Sequence, residues 1–138
     1  MHGKDFGEVV AVIVKNDNRY DAGAYEFVRL ALDHTLAEIN KKQAERNSPH
    51  VTGRELLDGI RDYALAQFGP MTMTLLNQWG IKNGRDFGQI VFNLVEYGVF
   101  GKTDTDSIDD FNDCYDFREA FEEPFLPPSR RGHKGSEK

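Results

Sequence analysis

Between residues 52 and 98 the chain is punctuated at intervals that suit helices. Thr52 with Glu55 three residues on is a capping-box pattern, in which side chain and backbone satisfy each other at a helix start. Leu56, Leu57, Ile60, Ala64 and Phe68 then fall on one side, and Gly69-Pro70 ends the run. The spacing predicts a helix over 53–68. A short helix follows over 70–79, with Met73, Leu76 and Trp79 inward and Gly80 as its stop. Asn83 caps a longer helix over 83–97, with Asp86 at its positive end. Phe87, Ile90, Val91 and Leu94 form its apolar stripe, and Gly98 stands where a left-handed C-terminal residue belongs. Gly88, inside this helix, costs about 1 kcal/mol relative to Ala. Close approach of another helix would offset that cost.

Two further helices precede this stretch. Phe6, Val9, Val10 and Ile13 have helical spacing over 4–16, although Val12 and Val14 also suit a strand. Asn16 to Asp21 reads as a turn. The second helix covers 22–46, with Val28, Leu32, Thr35, Leu36 and Ile39 as its stripe and a polar end projecting into solvent. Asn47-Ser48-Pro49 breaks it.

After Gly98 the period changes. Val99-Phe100 suits a short strand, and Phe111, Tyr115 and Phe117 at alternate places suggest a returning one. Glu119 to Phe125 reads as one helical turn. The expected fold is therefore mainly α with a small β-hairpin. It is one globular domain of five helices over 1–125, divided into an N-terminal helical pair (4–46) and a C-terminal part (51–125). Residues 126–138 read as a disordered basic tail, with Arg130, Arg131, Lys134 and Lys138.

The order over 53–117 is similar to a winged helix-turn-helix. Leu75 to Ile81, Phe87 to Phe100, and the step Glu96-Tyr97-Gly98-Val99 into the wing carry the likeness. The whole chain also resembles a small uncharacterised family associated with Planctomycetes and Verrucomicrobia. The residues that carry this are Arg19-Tyr20, Ala24 to Val28, His50 to Leu57, Phe68 to Met71, Trp79-Gly80-Ile81 and Asp86 to Phe121. That resemblance implies a bacterial protein and supplies neither an activity nor site residues.

Composition narrows the function classes. A chain of 138 residues with ten Phe, five Tyr and one Trp has enough apolar mass for a core without crosslinks. Its single cysteine, Cys114, permits no intrachain disulfide, which fits a reducing compartment. Asp110, Asp113 and Asp116 surround it, so the thiol reads as a small hydrophobe rather than a nucleophile. The run Val9 to Val14 is too short for a signal core or a bilayer span, so the expected location is the cytoplasm. No cofactor is expected, because no phosphate-cradling or dinucleotide glycine pattern and no nucleophile elbow is present. No metal is expected either: His2, His34, His50 and His133 lack ligand spacing, and Asp104 to Tyr115 fails the calcium-loop pattern at its glycine and glutamate positions. No catalytic residue emerges. His34 with Glu38 reads as a helix-face ion pair, and Asp58 with Asp62 as a charged surface beside Arg54 and Arg61.

Charge distribution says more than the net −6. Residues 104–123 hold nine acids and one base, a local charge of −8, so the rest of the chain carries +2. An acidic segment suits a basic protein partner, through complementarity and steering. The expected function is a protein-interaction module presenting Asp104, Asp106, Asp109, Asp110 and Tyr115, with self-association as a further partner expectation. The aromatic residues Phe111, Tyr115, Phe117, Phe121 and Phe125 would serve either as anchors or as core, and burial preference favours core for Phe111 and Phe117. The alternative is a DNA-binding regulator whose helix 83–97 reads base edges through Arg85, Gln89 and Asn93, recurring every four residues. Nucleic acid is disfavoured by the balance of five bases and five acids over 51–102. A small-ligand binder or enzyme with a dispersed site is the third reading.

Overall fold

The computed structural model describes residues 5–42, 52–99, 111 and 114–127, with the side chains of 40–42 left aside. Helix α1 spans Phe6–Asn16, and the Asp5 carboxylate opens it by accepting from Glu8 N at 2.9 Å. Only Val10 and Ile13 of α1 are fully buried, so the 3.6-residue period prevails over the β-branched composition. Helix α2 runs Ala22–Lys42, and α3 runs Gly53–Phe68. The capping box at the start of α3 is formed in both directions: Thr52 Oγ1 accepts from Glu55 N at 3.1 Å, and Glu55 Oε1 accepts from Thr52 N at 3.0 Å. A 3-10 turn over Gly69–Met71 leads into α4, Thr72–Trp79. This places the α-helical start two residues beyond Pro70. Buried Thr72 marks that start, its hydroxyl donating to Gly69 O at 2.7 Å. Gly80, at φ +91°, closes α4 in the left-handed region and lies so near the Arg19 carbonyl that a Cβ would come within 2.5 Å of it. Helix α5 spans Gly84–Glu96 behind the Asn83 cap.

Helix α2 packs against α1, α3, α4 and α5. That position explains why its buried set is broader than one stripe: Ala24, Tyr25, Phe27, Val28, Ala31 and Thr35 are all buried. On one side Phe27 meets the rings of Tyr63, Phe68 and Trp79 at 5.9, 5.6 and 5.5 Å. A second aromatic group joins Phe87, Tyr115, Phe117 and Phe121, with centroid separations from 5.3 to 6.3 Å.

The structure is mainly helical, and the expected β-hairpin and winged part are not supported. Among the described residues there is no strand. Phe100, the residues over 101–110 that would connect the strands, and residues 112 and 113 of the returning strand fall outside the described residues. The aromatic alternation ends in a helix instead: α6 spans Phe117–Phe121, and the Asp116 carboxylate accepts from Glu119 N at 3.1 Å as its cap. Phe117, Ala120 and Phe121 are buried at helical spacing, against α3 and α4. A 3-10 turn over Glu123–Phe125 follows. The close approach expected at Gly88 exists, and Phe111 makes it. The Phe111 side chain lies over it, at 3.0 Å from the position a Cβ would take.

Candidate functional site

Helices α2 and α3 come closest where Thr35 faces Gly59. A Cβ on Gly59 would overlap the Thr35 hydroxyl. That hydroxyl is buried, and it is satisfied by donating to Ala31 O one turn back at 2.7 Å. The contact sets the register of the two helices. It brings His34 and Glu38 of α2 opposite Asp58 and Asp62 of α3, with Glu55 and Ile39 completing the walls. Two pairs that the sequence separates by twenty residues therefore line one cleft of about 180 Å³, with Thr35 and Gly59 as its floor.

The cleft is mostly anionic. Asp58 and Asp62 are exposed, and His34, Glu38 and Glu55 are half-buried. Asp62 lies 3.3 Å from an Arg61 nitrogen, and the same guanidinium covers the Tyr115 ring at 5.7 Å. The His34 ring lies 5.4 Å from that of Tyr63, at the edge of the Phe27 aromatic group. Among the described residues no three ligands converge as a metal site. What carboxylates on both walls can do is accept N–H donors from outside, from an ammonium or a guanidinium. The volume is below the roughly 300–1,000 Å³ usual for small-molecule sites, so one side-chain head group suits it better than a nucleotide-sized ligand.

The residues singled out in the sequence are dispersed. Asp104, Asp106, Asp109 and Asp110 lie outside the described residues. Tyr115 is half-buried; its hydroxyl donates to Leu57 O at 2.7 Å, and burial pushes the phenol pKa up. That bond braces Tyr115 against α3. Phe111, Phe117 and Phe121 are buried, whereas Phe125 is exposed. Arg85 is exposed at the start of α5, and the two other members of its set turn toward the α1–α2 connection. Gln89 Oε1 accepts from Arg19 Nη2 at 3.4 Å. Asn93 is buried, and its amide nitrogen donates to Tyr25 Oη at 2.9 Å and to Asp17 Oδ2 at 3.1 Å. Asp17 is also gripped by Arg19, through Nε at 2.9 Å and Nη2 at 2.7 Å. The Arg19 hydrogen bonds hold its carboxyl well below the usual carboxylate range. Nearby, Asp86 Oδ1 accepts from Tyr20 Oη at 2.6 Å. These bonds fasten the α1–α2 connection to α5.

A larger groove of about 530 Å³ lies beside the start of α5, between Lys82, Arg85, Cys114 and Asp116. Its charges are mixed, and the helix end is occupied by its own cap: Asp86 Oδ2 accepts from Lys82 N at 2.7 Å and from Asn83 N at 3.2 Å. The cysteine lies half-buried against Gly84, with a carboxylate-bearing neighbour at 116.

Sequence reasoning identified each half of the α2–α3 cleft as an isolated pair. The missed signal was Gly59, a glycine in the interior of a strongly predicted helix, which marks a close helix crossing.

Comparison with protein families, with curated proteins and with solved structures gives no match. The reading of the site therefore rests on its own geometry. No helix among the described residues is long and apolar enough to cross a membrane.

Proposed function

We propose that this chain is a protein-interaction module that receives a basic segment of a partner along the acidic face formed by α2 and α3. The observation that carries the reading is the cleft at the Thr35–Gly59 crossing, where carboxylates from both helices flank one head-group-sized space. A lysine or arginine of the partner enters it, and the charged rim contributes mainly to encounter rate and salt dependence. Standard interfaces bury roughly 800 Å² per partner, so the cleft is one anchoring point within a larger contact.

The DNA-reading alternative has less support. Asn93 is committed to Asp17 and Tyr25, which keeps it from base edges, and the overall charge of −6 opposes phosphate binding.

The test is capture from native extract at rising salt, comparing the wild type with a Glu38→Gln/Asp58→Asn/Asp62→Asn variant. Circular dichroism and thermal melting serve to establish that both are equally folded. The expected outcome is a basic protein retained by the wild type at low salt, released by salt, and lost from the variant. Equal capture by both proteins would remove the cleft from the account. Nucleic acid held equally by both would move attention to α5.

A further inference from the structure

We draw no further inference here: the strongest candidate, the polar groove at the N-terminus of α5 lined by Lys82, Arg85, Cys114 and Asp116, is a capped helix end beside a lone cysteine, and among the described residues no buried unpartnered polar group points into it.

Discussion

A methyl group on residue 59 would overlap the Thr35 hydroxyl and stand 2.8 Å from Thr35 Cβ. Thr35 is buried, and turning its χ1 moves the hydroxyl but leaves its Cβ in place. Gly59→Ala is expected to destabilise by about 1–3 kcal/mol through overpacking, despite the gain in helix propensity. Thr35→Ala in the same chain should recover part of the loss, as a double-mutant cycle in urea would register. Asn93 offers a second test at this scale. Asn93→Leu leaves Asp17 and the Tyr25 hydroxyl short of a donor and should cost about 1–3 kcal/mol. Gln89→Ala removes a long contact with Arg19 and should stay within about 0.5 kcal/mol of the wild type. Asp17 adds a pH dependence. Its folded pKa is depressed, so its contribution is present above the unfolded value of about 3.9 and fades as pH falls below it. The stability gap between wild type and Asp17→Asn should therefore be widest at neutral pH and narrow through pH 4 toward pH 2 in denaturant titrations.

At the level of elements, local signals and tertiary contacts separate cleanly. The start of α3 was legible because Thr52 and Glu55 satisfy the helix end by themselves. Thr52→Ala should cost about 1 kcal/mol, the usual loss of an N-cap. Asp86 closes the cap of α5 and also binds Tyr20, so Asp86→Ala should lower the unfolding midpoint more than Thr52→Ala does. The α6 region was legible in part: Glu119 to Phe125 reads as a helical turn, and the structure has α6 over Phe117–Phe121 and a 3-10 turn over Glu123–Phe125. Alternation would put Tyr115 and Phe117 on one face of a strand, but the Asp116 carboxylate caps a helix there, and Phe117 and Phe121, one turn apart, share its buried face. The role of the glycines in α5 was half legible. Gly88 signalled a close approach, but only the fold shows that Phe111 makes it, and that Cys114 and the Phe111 carbonyl crowd Gly84. A Cβ at 84 would lie 2.5 Å from that carbonyl. Gly84→Ala should thus displace Phe111 and Cys114 and speed thiol labelling of Cys114, whereas unchanged labelling would contradict the packing described.

Across the whole molecule, helix content could be read from periodicity, but helix neighbours could not. Helix α2 touches four others, and its weakly striped sequence follows from being covered on several sides. The pairing of His34 and Glu38 with Asp58 and Asp62 depends on that packing, since nothing local relates residues on different helices. The charge map points to an acidic interaction surface over residues 104–123, of which Asp104, Asp106, Asp109 and Asp110 lie outside the described residues; the acidic cleft between α2 and α3 is made by residues that read in the sequence as ordinary solvated faces. The most direct test of its role is an amide-resolved NMR titration with a short lysine- and arginine-rich peptide, at low and high salt. The account predicts shifts centred on His34, Glu38, Asp58, Gly59 and Asp62, suppressed by salt and by the Glu38→Gln/Asp58→Asn/Asp62→Asn substitutions. Shifts that leave α2 and α3 untouched, or that persist in the variant, would contradict it.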